Sequence, residues 1–449
     1  MAGFSNYFFA LAVLLSLVST FISDSSQQPL HSSQDSKFLN LTVVHRESAY
    51  SSIAREKKLS LEQILKHDTV RFNIFDRFIS GASKNGTIEG SLAVSIPAYF
   101  GSLFDTNNFV VTIGLGTPKK DFTVMFDTGS DLSWIPCSTC RECEAPKKLL
   151  FDPTESSTYS SIRCNSDECS QAQDSSSCST ESNTCRFAIS YADGTITEGS
   201  IIRDTLTLAP FDVLPNFVFG CSDYYSMKHR AVGLIGLSRE KVSLFSQVSQ
   251  KYGEVFSYCI PSSLSSTGYL AFGRLALPPH IKYTPMLTMP PVVGLLYFVR
   301  LAGIKVAGKT LPLPPTVFSR TATAIDSGGV ITRLPPLAYN ALRSEFQKHM
   351  TEYTLMPHKF VVDTCYDMSG HKNLNVPTVE LLFDGGASLS LDFDGTMIMA
   401  DDQMGCLAFT ATDDMHGGVS IIGNTQQKKY TVVYDVTNGK VGFGSGGCA

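Results

Sequence analysis

The sequence predicts a mainly β protein made of two related halves behind a helical N-terminal section, and two observations predict it. From about Ser91 onward the chain is a succession of short β-type runs punctuated by Gly, Pro and Asp. Examples are Phe109-Val110-Val111-Thr112-Ile113-Gly114, Phe122-Thr123-Val124-Met125-Phe126 and Phe217-Val218-Phe219-Gly220. Within that text one unit recurs. Val124-Met125-Phe126-Asp127-Thr128-Gly129-Ser130 is echoed by Thr323-Ala324-Ile325-Asp326-Ser327-Gly328-Gly329, and an apolar-apolar-Gly element follows each, Leu234-Ile235-Gly236 and Ile421-Ile422-Gly423. The aspartates stand 199 residues apart (326 minus 127) and the closing glycines 187 (423 minus 236). Two copies of one β unit produce that agreement, the first lengthened by the cysteines of 164–185.

The N-terminal section reads differently. Phe8 to Val18 is apolar except for Ser16, the length of a signal-peptide core and too short to span a membrane. No Lys or Arg precedes it, but a chloroplast transit peptide would be Arg- and Ser-rich rather than continuously apolar. Residues 1–23 are therefore expected to be a signal peptide, and the protein to be secreted to the extracellular space (the apoplast), with vacuole or chloroplast as alternatives. Residues 24–36 are Ser/Gln-rich. Residues 60–79 are expected to form a helix, with Ser60 and Gln63 as a capping box and Leu61, Ile64, Leu65, Phe72 and Phe75 as an imperfect apolar stripe. A second helix is expected over Leu337–Met350 after Pro335-Pro336, with Leu342 and Phe346 four apart. Asn40 and Asn85 head the two N-x-Ser/Thr sequons and are the expected glycosylation sites.

Composition excludes several functions. The 449 residues are 43% hydrophobic and 17% charged, enough apolar material for a large core. The net charge of −5 comes with no Lys/Arg run to track phosphates, so no nucleic-acid partner is expected. No second apolar run has spanning length, so no membrane partner is expected, and a monomer is. All 12 cysteines lie at or beyond Cys137, an even number that suits a disulfide framework in an oxidising compartment. Cys137, Cys140 and Cys143 also fit part of a metal site, but no His-rich run or second CxxC follows, so the expectation is no metal and no cofactor.

The repeated Asp-(Ser/Thr)-Gly triplet carries the chemistry. Two carboxylates about 3 Å apart cannot both ionise, so one stays protonated while the other is charged. The charged one takes a proton from a water held between them, and the protonated one donates to a substrate carbonyl. Gly129 and Gly328 let backbone approach the pair. Thr128 and Ser327 supply hydroxyls that bond across to the opposite loop. Asp127 and Asp326 are thus the candidate catalytic residues.

Further residues carry a family resemblance from about residue 105 to the end: Asp127-Thr128-Gly129-Ser130-Asp131-Leu132-Ser133-Trp134, Tyr191-Ala192-Asp193-Gly194, Phe256-Ser257-Tyr258-Cys259, and Ile421-Ile422-Gly423-Asn424 with Gln426-Gln427. The chain resembles a pepsin-like aspartic proteinase of the plant nepenthesin and chloroplast-nucleoid type. The resemblance implies an all-β bilobal pepsin-like fold, two related β-barrel lobes with the active site in the cleft between them. It implies an aspartic endopeptidase made as a zymogen, acting on protein or peptide substrates. Residues 24–90 would be the pro-segment, 91–290 the N-terminal lobe and 291–449 the C-terminal lobe, with Lys57, Lys58, Lys66 or Arg71 over the dyad before maturation. Tyr191 and Gly194 would lie on a flap over the peptide, with Trp134 bonded to the Tyr191 hydroxyl. Family pairing would join Cys137–Cys140, Cys143–Cys221, Cys164–Cys185, Cys169–Cys178, Cys259–Cys448 and Cys365–Cys406.

One position departs from the family. Ser130 follows the first triplet, but Gly329 follows the second, where a hydroxyl would donate to its aspartate. The dyad is therefore expected to work at less acidic pH. The competing function is a catalytically weak or inactive relative that binds glycosidases or serves in the cell wall. Both aspartates, the flap Tyr and both register hydroxyls are present, which favours the enzyme.

Overall fold

The computed structural model describes residues 38–45, 60–84 and 109–448, less short stretches at 142, 144–148, 173–175, 180, 191–195, 211, 226–232, 264, 275–279, 290–295, 320–321, 358–360 and 413–418. The expected signal peptide, the expected boundaries at 90/91 and 290/291, Asn85, Tyr191 and Gly194 lie outside the described residues.

The repeat read from the sequence is a repeat of topology. In the first half, Lys120–Asp127 runs parallel to Gly233–Gly236, with Gly236 beside Asp127, and Trp134–Pro136 crosses antiparallel on the other side. In the second half, Thr323–Ile325 runs parallel to Ser420–Ile422, and Thr332–Leu334 lies antiparallel on its far side with Arg333 opposite Ile421. Val124–Asp127, Gly233–Gly236, Thr323–Ile325 and Ser420–Ile422 are all buried, which is why they read as apolar runs rather than alternating ones. Each half therefore holds its aspartate loop at the end of a strand walled in by core.

A broad sheet joins the halves. Val255–Cys259 pairs with Gly268–Gly273 on one side and Tyr430–Asp435 on the other, and Lys440–Ser445 extends it to Lys282–Pro285. The next strand on the other edge comes from the N-terminal section. Phe38–His45 pairs antiparallel with Gly268–Gly273, then its last residues turn to Phe109–Leu115. Leu39, Leu41 and Val43 are buried in the main core while Asn40 and Thr42 face out, the period-2 pattern of a one-sided strand. Part of the expected pro-segment is thus a strand of the body.

The helix expected over 60–79 spans Leu61–Lys84, and that over Leu337–Met350 spans Pro336–His349. The capping box forms: the Ser60 N–H donates to Gln63 Oε1 at 3.0 Å and the Gln63 N–H to Ser60 Oγ at 3.3 Å. Leu61, Ile64, Leu65 and Phe72 are buried; the Phe75 side chain lies outside the described residues.

The twelve cysteines form six disulfides. Cys259–Cys448 and Cys365–Cys406 pair as the resemblance implies, but the other four pairings are corrected. Cys137 bonds Cys221 rather than Cys140, because Trp134–Pro136 lies parallel to Asp212–Tyr225 with Ile135 beside Cys221, bringing the two Cα atoms to 5.5 Å. Cys140, left next to Cys143, bonds it instead of Cys143 reaching Cys221. Neither Cys164–Cys185 nor Cys169–Cys178 forms. Cys185 and Cys169 are buried in one apolar cluster and bond there, while Cys164 bonds the exposed Cys178.

Candidate active site

The two aspartate loops meet face to face. The Gly129 N–H donates to Asp127 Oδ1 at 2.9 Å and the Gly328 N–H donates to Asp326 Oδ1 at 3.0 Å, so each carboxylate is aimed by its own glycine. Gly328 must lack a side chain: a Cβ there would come within 2.5 Å of Asp127 Oδ1. The hydroxyls bond across the interface. The Ser327 N–H donates to Thr128 Oγ1 at 3.0 Å, the Thr128 N–H to Ser327 Oγ at 3.1 Å, and the Thr128 hydroxyl to Ile325 O at 3.3 Å. Asp127 is fully buried and Asp326 5% exposed.

The outer oxygens differ as the sequence leads one to expect. Ser130 Oγ donates to Asp127 Oδ2 at 2.5 Å. At Asp326 the corresponding residue is Gly329, and a Cβ built there would sit 2.9 Å from Oδ2.

A cation stands between the carboxylates. Arg71, on the Leu61–Lys84 helix, donates from Nη2 to Oδ1 of Asp127 at 3.0 Å and to Oδ1 of Asp326 at 2.7 Å. Its Nη1 reaches Asp127 Oδ2 at 3.2 Å and its Nε reaches Asp326 Oδ2 at 2.9 Å, the oxygen that Gly329 leaves without a hydroxyl. Among the described basic candidates, Arg71 is the one on the dyad and Lys66 is exposed on the helix; Lys57 and Lys58 lie outside the described residues. Burial works against the Arg71 charge, but the two carboxylates outweigh it and hold the guanidinium protonated well above its usual range. Burial also raises the Asp127 carboxyl above its ordinary value and Asp326 adds to this, with Arg71 and Ser130 opposing.

Beneath the dyad, a buried layer absorbs motif residues that carried the resemblance. Gln427 Nε2 donates to the backbone oxygens of Asp326 (3.0 Å) and Ile422 (2.9 Å), and the Tyr258 hydroxyl bonds both Gln427 and Tyr434. Asn424 Nδ2 donates to Ser327 O at 3.2 Å. Trp134 is buried with its ring 5.9 Å from that of Tyr225; its expected partner Tyr191 lies outside the described residues.

Sequence reasoning missed the rest of the helix contact. Asp68 accepts from the Val330 N–H at 2.6 Å and from Arg333 Nη2 at 3.0 Å, and Phe72 lies against the Arg333 guanidinium, 4.7 Å from its ring centroid. Leu61, Ile64 and Leu65 join an apolar cluster with Val330, Ile331 and Val362, and Phe72 joins one with Leu296, Phe298 and Ile421. Only the helical period of 61–72 hinted at this; nothing in the sequence marked Asp68 or Arg333.

Two topologically repeated β halves, each presenting an Asp-(Ser/Thr)-Gly loop with both carboxylates within reach of one nitrogen, define a protein of the aspartic-proteinase class. Residues 109–274 match the family model described as Xylanase inhibitor N-terminal, and residues 296–445 the one described as Xylanase inhibitor C-terminal. Aspartyl protease AED1 of Arabidopsis thaliana is 37% identical over 435 residues, covering 96% of this chain and 91% of the relative. Aspartic proteinase nepenthesin-1 of Nepenthes gracilis is 30% identical over 469 residues, covering 99% of each. The chain belongs to this plant aspartyl protease family. Among solved structures, conglutin gamma from lupine seeds matches at TM-score 0.61 and 21% identity, covering 76% of this chain and 92% of that one. The structure titled edgp matches at TM-score 0.60 and 20% identity, covering 80% and 96%. These two share the fold.

Proposed function

We propose that the chain is the latent precursor of a secreted aspartic endopeptidase, with Asp127 and Asp326 as its catalytic pair. The observation that carries the reading is the placement of both carboxylates within 3.0 Å of Arg71 Nη2. A cation between them is what a closely spaced anionic pair needs while it is not working. Once the helix leaves, the two Oδ1 atoms that now accept from Arg71 Nη2 face one another, and a shared proton and a water replace the guanidinium. The ionised partner then draws a proton from the water as it attacks the peptide carbonyl, and the protonated partner donates to the carbonyl oxygen.

Six disulfides support export to an oxidising compartment. Asn40 is exposed on its strand, open to the glycan its sequon invites. Acid treatment of the purified protein, followed by incubation with denatured haemoglobin with and without pepstatin, tests the proposal. Pepstatin-sensitive hydrolysis that chelators leave intact supports it; chelator-sensitive hydrolysis contradicts it. The family model's description favours a second reading, a binder of glycosidases without peptidase activity, which predicts no hydrolysis under any of these conditions.

A further inference from the structure

Resting on the endopeptidase reading, we infer that Arg333 and the Val330 N–H form a carboxylate-binding subsite beside the dyad, which selects substrates carrying an Asp or Glu side chain near the cleaved bond. The site is already occupied by its own kind of ligand. The Asp68 carboxylate takes one bond from the Val330 N–H at 2.6 Å and one from Arg333 Nη2 at 3.0 Å. All three residues are at most 3% exposed. Both donors belong to the enzyme body, four and seven residues past Asp326, on the segment that leaves the catalytic loop and enters the Thr332–Leu334 strand. The carboxylate belongs to the helix whose Arg71 stands between the two catalytic aspartates. Helix departure withdraws the Asp68 charge, the Thr69 hydroxyl that accepts from Arg333 Nη2 at 2.9 Å, and the Phe72 ring.

A guanidinium and an amide N–H that each bind one oxygen of the same carboxylate are matched by a carboxylate and poorly by an amide or alkyl group. A neutral side chain covering the vacated place would shield Arg333 from water without replacing the Asp68 carboxylate it now pairs with, a mismatch that discriminates against it. The neighbouring space is apolar: Phe72 occupies a pocket of Leu296, Phe298, Ala324, Val419 and Ile421. The substrate class is therefore peptides that place an acidic side chain next to a large apolar one. The apolar half alone would describe a generic hydrophobic site; the Arg333 guanidinium makes this one selective.

The test uses acetylated, amidated hexapeptides whose central bond is reduced, so that binding is read without cleavage and no terminal carboxylate competes. Each peptide exists in an Asp and an Asn form at each position flanking a central Phe. Binding is measured by calorimetry to acid-treated full-length protein and, in parallel, to full-length D68A/R71A protein, whose helix has lost both ionic anchors. At one position the Asp form should bind about tenfold or more tightly than the Asn form, the discrimination expected of a hydrogen bond to a charged group. Arg333→Gln should bring that ratio close to one, and Arg333→Lys should retain part of it. Equal binding of Asp and Asn forms at every position overturns the inference, as does a preference that survives Arg333→Gln. The parent protein's own Asp/Asn ratio decides the matter even if the variants do not fold. Hydrolysis of the unreduced peptides is scored separately: an Asp preference in binding with no cleavage upholds the subsite and contradicts the endopeptidase reading.

Discussion

Thr128 and Ser327 hold each other reciprocally, each hydroxyl oxygen accepting the other residue's backbone N–H, at 3.0 and 3.1 Å. Both are buried, so neither N–H has water as a substitute partner. Thr128→Ala leaves the Ser327 N–H without its acceptor, a loss of about 1–3 kcal/mol. Chemical denaturation should show the lowered midpoint. Activity should fall by at least about tenfold, because the two carboxylates lose their mutual registration. Thr128→Ser keeps the acceptor and should stay within a few-fold of the parent; equal loss in both variants contradicts the role given to the hydroxyl.

Arg71 makes helix docking dependent on acid, with a definite sign. Its charge persists at all working pH values, whereas the Asp127 carboxyl facing it titrates. The docked guanidinium lowers the Asp127 carboxyl's affinity for protons relative to the bare dyad, so docking is strongest above the carboxyl's titration and weakens as pH falls through it. Burial keeps Asp127 above an ordinary aspartate's 3.8, so the loss begins above that value. Arg71→Ala leaves two buried carboxylates uncompensated, a penalty of about 3–5 kcal/mol on the docked state. Activity after pH steps should therefore appear at higher pH in Arg71→Ala than in the parent. Identical onset curves contradict the latch.

Gly329 predicts an activity profile that can be moved by one side chain. A hydroxyl at this position would donate to the Asp326 side of the dyad and favour the ionised form, so Gly329→Thr should shift the profile of the pair to lower pH, by up to about one unit. The new Cβ sits 2.9 Å from Asp326 Oδ2, so the carboxylate must yield slightly. The threonine hydroxyl also competes with Arg71 Nε for the same oxygen, and docking should loosen. Superimposed pH–rate profiles contradict the prediction.

The disulfide map separates the observed pairing from the one family resemblance implied. Non-reducing peptide mapping should release Cys137 with Cys221 and Cys164 with Cys178. Recovery of a Cys143–Cys221 or Cys164–Cys185 peptide contradicts the described fold around the insertion.

The repeated triplet made the dyad legible, because two rare motifs behind apolar strands admit few readings, and helix caps are local enough to read directly. The cysteine pairing was not legible, since spacing does not tell which face of a strand each thiol occupies. Cys178 and Cys185 stand opposite one another in a hairpin, yet each bonds elsewhere. Asp68 and Arg333 were illegible for a different reason. Each looks like an ordinary solvated charge, and only docking across 265 positions of sequence buries them together. The Phe38–His45 strand alternates as a strand should, but its place in the central sheet depends on partners more than 200 residues away.

Asp127→Asn and Asp326→Asn test the shared-proton pair most directly, because each exchanges one oxygen for an NH2 group at nearly unchanged volume. Acid-treated parent, Asp127→Asn and Asp326→Asn proteins are to be compared for hydrolysis of denatured haemoglobin, with circular dichroism as the folding control. The pair predicts that either substitution alone abolishes hydrolysis while the folded spectrum remains. Hydrolysis that survives either substitution would contradict it.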